Sequence, residues 1–216
     1  NECLRTWAFS LSRDVATHAQ RILNEMENRD GDGFSCAPDA KSYEYFMTCL
    51  SRAPDQKAVR RAREIFQKLE ASGNPASVSL LNIFLKILVR SGETNSLEEA
   101  VHILDELQVS GSLTPSRASY EVVFKGFSRE HGRIEDANRI LKRMVSLGKP
   151  ELLPSVEMYL EMMKLWSTSG APNAVERVEW CFQQIVREIG ATSKAYAALQ
   201  SAWGASRRPD APQQAE

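Results

Sequence analysis

Residues 81–107 read Leu81-Asn82-Ile83-Phe84-Leu85-Lys86-Ile87-Leu88-Val89-Arg90-Ser91-Gly92-Glu93-Thr94-Asn95-Ser96-Leu97-Glu98-Glu99-Ala100-Val101-His102-Ile103-Leu104-Asp105-Glu106-Leu107. Two apolar sets with the same internal spacing lie in this stretch: Leu81/Phe84/Leu85/Leu88 before Gly92, and Ala100/Ile103/Leu104/Leu107 after it. Positions i, i+3, i+4 and i+7 share one face of a 3.6-residue helix, so the stretch predicts two amphipathic helices broken at a glycine. The second helix starts its buried stripe with a small residue.

Both sets recur along the chain. The second-helix block appears as Ala19/Ile22/Leu23/Met26, Ala62/Ile65/Phe66/Leu69, Ala137/Ile140/Leu141/Met144 and Val178/Cys181/Phe182/Ile185. The first-helix set appears as Tyr43/Phe46/Met47/Leu50, Tyr120/Val123/Phe124/Phe127, Tyr159/Met162/Met163/Trp166 and Tyr196/Leu199/Gln200/Trp203. Successive anchors, from Tyr43 through Leu81, Tyr120 and Tyr159 to Tyr196, are 38, 39, 39 and 37 residues apart. A period in the range of about 20–50 residues marks a solenoid, and two helices per period make it an α-solenoid. The expected fold is therefore an all-α, right-handed array of tandem antiparallel helix pairs. It has eleven helices, with repeats over 1–39, 40–77, 78–116, 117–155, 156–192 and 193–216. Cys3, Leu4 and Trp7 fit the +3, +4 and +7 places of an anchor before Asn1, and Ala215 opens a sixth second-helix block. The pattern predicts a piece of a longer array.

Turn chemistry falls where such an array needs it. Pro38, Pro75, Pro115 and Pro154 precede the anchors by five or six residues, and Gly73, Gly111, Gly148 and Gly190 close second helices. Gly92, Gly132 and Gly170 mark the turns inside repeats. Glycine suits the left-handed residue past a helix end, and proline stops continuation. Ser96 with Glu99 reads as a capping box, and Glu98, Glu99, Glu135 and Asp136 suit the positive end of a helix dipole rather than catalysis.

Composition narrows the function. With 27 basic and 28 acidic residues the formal net charge is −1, so no global field demands a polyanionic partner, although local patches still decide binding. No apolar run of about 18 residues exists, so no membrane span is expected. Cys3, Cys36, Cys49 and Cys181 form no Cys-x-x-Cys pair, which points to a reducing compartment and away from zinc. His18, His102 and His131 are scattered over three repeats and read as solvated or locally bonded. The methionines Met47, Met144, Met162 and Met163 read as core. The chain contains no phosphate-binding glycine loop, nucleophile elbow or metal-ligand cluster, so we expect no enzyme, no cofactor, no metal and no small-molecule substrate.

The residues from Leu81-Asn82 through Arg90-Ser91-Gly92 to Leu97-Glu98-Glu99-Ala100 resemble the pentatricopeptide repeat, whose consensus runs tyrosine-asparagine-x-leucine-isoleucine, lysine-x-glycine, leucine-glutamate-glutamate-alanine. Tyr120-Glu121-Val122-Val123-Phe124-Lys125-Gly126-Phe127 with Gly132-Arg133-Ile134-Glu135-Asp136-Ala137 is similar, and so are the repeat ends Ala37-Pro38-Asp39, Thr114-Pro115-Ser116 and Leu153-Pro154-Ser155. A tetratricopeptide array usually needs a small residue in mid-first helix, where this chain has Phe46, Phe84, Val123 and Met162.

That resemblance implies single-stranded RNA as partner, held along the first helices at roughly one base per repeat. The implied reading pairs are Asn1 with Asp39, Glu44 with Ser77, Asn82 with Ser116, Glu121 with Ser155, and Leu160 with Thr192. Asparagine with aspartate resembles the uracil-preferring combination and asparagine with serine a pyrimidine reader. Glu44 and Glu121 accept hydrogen bonds but repel phosphate, and Leu160 makes no hydrogen bond. The base-sandwiching places are Lys41, Ser79, Ala118, Glu157 and Lys194. Arg52, Arg90 and Arg129, each nine residues past an anchor, stand where the family often has a phosphate-contacting lysine; the plainer reading is a helix end favoured by its dipole. Resemblance also implies a mitochondrial or plastid role in RNA processing, stability or translation. The alternative is a protein-binding scaffold, such as an organellar ribosome component, and a catalytic domain beyond Glu216 is a third reading.

Overall fold

The computed structural model describes residues 2–10, 14–28, 38–52, 56–71, 76–93, 95–111, 113–129, 133–190 and 192–205. Among these the backbone forms eleven α-helices, a short 3-10 helix at Pro150–Leu152, and no strand. The helices are α1 (Glu2–Phe9), α2 (Val15–Asn28), α3 (Ala40–Leu50), α4 (Gln56–Ala71), α5 (Val78–Ser91), α6 (Ser96–Ser110), α7 (Arg117–Arg129), α8 (Ile134–Ser146), α9 (Val156–Ser169), α10 (Ala174–Ile189) and α11 (Ser193–Ala205). Odd helices carry the anchor sets and even helices the alanine-led blocks, as the two registers predict. The expectations on Asn1, Cys36, Gly73, Pro75, His131, Gly132 and the sixth block at Ala215 lie outside the described residues.

The chain divides into two compact units, Asn1–Val123 and Phe124–Glu216. In the first, α1 packs on α3 and α3 on α5; α2 packs on α1 and α3, α4 on α3 and α5, and α6 on α5. In the second, α9 packs on α8, α10 and α11, and α10 on α11. These packed pairs join helices of the same or adjacent repeats, which is how a solenoid buries surface.

This packing explains why the odd helices bury more than their anchor stripe. Besides Tyr43, Phe46, Met47 and Leu50, α3 buries Ser42 and Cys49, and α5 buries Leu80 and Ile87 besides its own set. A first helix has its second helix on one side and the previous repeat on another, so its apolar face must be wide. Anchor tyrosines use both ends of the side chain. Tyr43 is 5% exposed and its hydroxyl donates to Glu27 of α2 at 3.4 Å; Tyr120 is 1% exposed and donates to Gln108 of α6 at 3.3 Å. Between repeats, Phe66 of α4 stacks on Phe84 of α5 with centroids 4.9 Å apart.

Three expectations are corrected. In α11 the buried stripe is Ala195/Leu199/Ala202, while Tyr196 is 51% exposed and tilts onto Phe182 at 5.1 Å; the helix has turned by one residue relative to its anchor register, because the small alanines allow close approach to α9 and α10. Cys3 is likewise exposed, leaving Leu4 and Ala8 as the buried face of α1. Ser96 with Glu99 does not form a capping box: Asn95 is the N-cap, Ser96 bonds Ser91 and Glu93, and the Glu99 carboxylate turns to Arg63 of α4. That fork has Nε–Oε1 and Nη2–Oε2 distances of 2.8 and 2.6 Å, a geometry a helix-end amide cannot match for charge complementarity. The helix-closing glycines behave as expected where they are described. Gly92 and Gly111 cap α5 and α6 with φ of 70° and 66°, a region costly for a residue with a Cβ.

The acids Glu98, Glu99, Glu135 and Asp136 occupy first turns of α6 and α8. His18 stacks on Trp7 at 4.4 Å and exposed His102 faces Glu106 at 3.4 Å. Cys49 and Cys181 are buried, and burial pushes their thiols up to about 11 and about 12. No helix among the described residues is long and apolar enough to cross a membrane.

Candidate nucleic-acid interface

The last residue of each repeat turns out to be the cap of the next first helix. Asp39 is the N-cap of α3: its Oδ1 accepts from the Ser42 amide at 2.7 Å and hydroxyl at 2.8 Å, and its own amide donates back to Ser42 Oγ at 3.2 Å. Ser77 caps α5 by accepting from the Leu80 amide at 3.1 Å. Ser116 precedes α7 in a reciprocal arrangement with Ser119, Ser155 is the N-cap of α9, and Thr192 accepts from the Ala195 amide at 3.2 Å. The spacing that gives these residues their implied role also fixes them at helix starts, where in all but Ser155 the oxygen-bearing side chain satisfies an orphan amide.

Two of the implied pairs are brought together. The Ser77 hydroxyl donates to Glu44 Oε1 at 2.5 Å, across 33 residues of sequence. Lys41 holds the other carboxylate oxygen at 2.7 Å. Burial alone would raise the Glu44 carboxyl; the hydrogen bonds from Lys41 and Ser77 and the Lys41 charge outweigh it and hold the group below its ordinary value. Asn82 and Ser116 meet through a third residue, Ser119, whose hydroxyl donates to Asn82 Oδ1 at 2.6 Å and lies 3.2 Å from Ser116 Oγ. Glu121 is half-buried on α7 and Ser155 half-buried at the start of α9. Leu160 is half-buried on α9, and with Lys164, Lys194, Ala197 and Ser201 it lines a groove of about 650 Å³ between α9 and α11. Asp39 is exposed; its expected partner Asn1 is outside the described residues.

A burial pattern runs through all of these positions. Glu44, Asn82, Glu121 and Leu160 are half-buried, whereas Lys41, Ser79, Ala118, Glu157 and Lys194 are all exposed. One place per repeat is half-buried, held by neighbours at Glu44 and Asn82, and the other is exposed.

The arginines have partners in the protein. Arg52 Nη1 donates to the Ala8 carbonyl at 3.2 Å and to the Ser10 carbonyl, and Arg90 Nη1 donates to the Ser51 carbonyl at 3.2 Å. Each thus closes the C-terminal end of the preceding first helix, where carbonyls lack intrahelical donors. Both side chains remain exposed, and a guanidinium has five N–H donors. Arg129 is exposed in the last turn of α7. Among the described residues no group of three or more His, Cys, Asp and Glu side chains is placed to hold a metal ion.

No protein-family model matches the chain, and no curated protein matches it. Solved structures do. The crystal structure of the pentatricopeptide repeat protein PPR10 from maize superposes with a TM-score of 0.61 over 98% of this chain, at 23% identity. PPR10 in complex with an 18-nt psaJ RNA element superposes with a TM-score of 0.52 over 93% of this chain, at 19% identity. This is the pentatricopeptide-repeat fold. The chain spans 27% and 32% of the PPR10 chains in those two structures. In the array formed here, sequence reading singled out Glu44, Ser77, Asn82 and Ser116 but not Ser119 and Ser42, both 0% exposed. Their signal was present: Asp39-x-x-Ser42 and Ser116-x-x-Ser119 have the N-cap to N3 spacing of a reciprocal cap.

Proposed function

We propose that this chain binds single-stranded RNA along its first helices, one nucleotide per repeat, with no chemistry of its own in this segment. The observation that carries the reading is the meeting of residues 33 and 34 apart in sequence, Glu44 with Ser77 and Asn82 with Ser116 through Ser119, with Glu44 and Asn82 at half-buried places beside exposed ones. A place of this kind, polar and held by neighbours beside solvent, suits base-edge recognition. The fold is that of PPR10, which has been crystallised in complex with an 18-nt RNA element, and this supports the same reading. Asn82 with Ser116 then takes a pyrimidine, as does Asn1 with Asp39; Leu160 with Thr192 contributes stacking surface without hydrogen-bond selection; Arg52, Arg90 and Arg129 approach phosphate with their remaining donors. Action in mitochondria or plastids, in RNA processing, stability or translation, belongs to the same proposal.

A protein-binding scaffold is the second reading. It is favoured by a groove of about 790 Å³ along the second helices α4 and α6, floored by Phe66, Phe84 and Leu107, beside Val109 at 89% exposure. Titrating labelled single-stranded oligonucleotides against the chain across a salt series decides between them. Saturable binding that weakens with salt is expected; no affinity at low salt leaves the scaffold.

A further inference from the structure

We infer that Ser119 is a positioning residue for base reading: it takes the amide oxygen of Asn82 and leaves the amide NH2 as the group presented to the nucleotide. The inference rests on the RNA reading above and assigns the chemistry of one of its sites. Ser119 Oγ accepts the Ser116 backbone N–H at 3.0 Å, and the Ser116 hydroxyl lies 3.2 Å from it. A serine oxygen has two lone pairs and one proton. With its lone pairs facing the two Ser116 donors, the proton is directed along the 2.6 Å contact to Asn82 Oδ1. The hydrogen bonds therefore run in one direction, from the helix cap through the hydroxyl to the reading residue.

Burial sets which end of the amide is left outward. Ser119 is 0% exposed and Asn82 half-buried, so the Oδ1 end faces the interior and the Nδ2 end faces solvent. An asparagine free to rotate presents either a donor or an acceptor and discriminates poorly among base edges. One whose oxygen is held presents donors alone and selects an acceptor on the base. Ser119 belongs to the following repeat, 37 residues beyond Asn82, so the selectivity of one repeat depends on a residue of the next. The equivalent hydroxyl of Ser42 is bonded differently, because the Asp39 carboxylate accepts its proton at 2.8 Å.

The test uses the full chain and a set of oligouridylates that carry each of the four bases at one position, stepped along the tract. The nucleotide opposite Asn82 is the one whose base spread Asn82→Ala abolishes. Ser119→Ala is expected to compress the spread between best and worst base at that nucleotide by about threefold to tenfold, the worth of one hydrogen bond, and to leave the other positions alone. Ser119→Thr, which keeps the hydroxyl, should retain the spread. Asn82→Asp keeps an oxygen for Ser119 but replaces the outward NH2 by an acceptor, so it should reorder the four bases; this variant also decides the matter if Ser119→Ala fails to fold. An unchanged spread in Ser119→Ala, a uniform loss of affinity with the spread intact, or an unchanged base order in Asn82→Asp overturns the inference and leaves RNA binding standing. A wild-type chain with no oligonucleotide affinity overturns the RNA reading itself.

Discussion

Glu44 shows what a single residue contributes here beyond its place in a pattern. Its carboxylate is clasped by Lys41 and Ser77, and its affinity for a proton is lowered in the folded state. A carboxyl so lowered adds stability above its ordinary value of 4.5, and that stability is lost as pH falls through the folded value. The stability gap between the wild-type chain and Glu44→Gln should therefore be constant near neutrality and shrink below about pH 4.5, measured by denaturant melts across pH. A gap that widens in acid would reverse the assignment. The thiols give a second expectation. Cys49 and Cys181, buried and raised to about 11 and about 12, should resist a thiol-specific disulfide reagent at pH 8 until denaturant is added, whereas exposed Cys3 reacts in the folded chain. Mass mapping of the labelled cysteines checks both halves. At this scale the spacing made the residue after each anchor and the last residue of each repeat legible as recurring places. Ser119 and Ser42 showed only as cap spacings, because a serine before an apolar anchor carries no hydrophobic signal and the Ser119 contact to Asn82 forms only when a helix 37 residues upstream brings that partner.

An element in this array is stable because its neighbours complete it. Phe66 of α4 is 5% exposed and stacks on Phe84 of α5, so Phe66→Ala removes a contact that joins two repeats and leaves a cavity between them. The expected loss is about 3–5 kcal/mol, read as a shift in the denaturant midpoint. A loss under about 1 kcal/mol would mean that the groove beside Phe66 and Phe84 collapses into the space, since a site that relaxes pays little cavity cost. The α6 terminus tests the backbone instead. At Gly111, φ is 66° and an added Cβ meets nothing within 4 Å, so Gly111→Ala should cost about 1–2 kcal/mol from the left-handed conformation alone. Helix existence and register were legible from the i, i+3, i+4, i+7 sets. Two features were not. The one-residue turn of α11 follows from alanines at 195 and 202 that carry weak hydrophobic signal, and Glu99 abandons its expected cap because Arg63, 36 residues away, offers a two-point charged partner.

Across the whole molecule the period of 37 to 39 residues was legible, because every repeat repeats the same burial problem; the division between Val123 and Phe124 was not, since the pattern of α7 runs through it unbroken. The same holds for charge. A formal net charge of −1 conceals Arg52 and Arg90, which recur at one place in successive repeats and each bind carbonyls of the first helix before them. If these two and Arg129 also meet phosphate, their contribution must be the same for every sequence, because phosphates carry no base information. Replacing all three with glutamine should weaken binding to all oligonucleotides alike and lower the slope of log affinity against log salt by about 2, at roughly 0.7 per phosphate on a single strand. Loss of the carbonyl bonds should lower the melting temperature as well, so affinity is compared well below the melt. Asn82→Ala, by contrast, should change one base preference and leave the slope intact. A triple variant that melts earlier but binds with the original slope would assign these arginines to the joining of repeats alone, and phosphate contact would then have to come from other exposed cations, Lys194 among them.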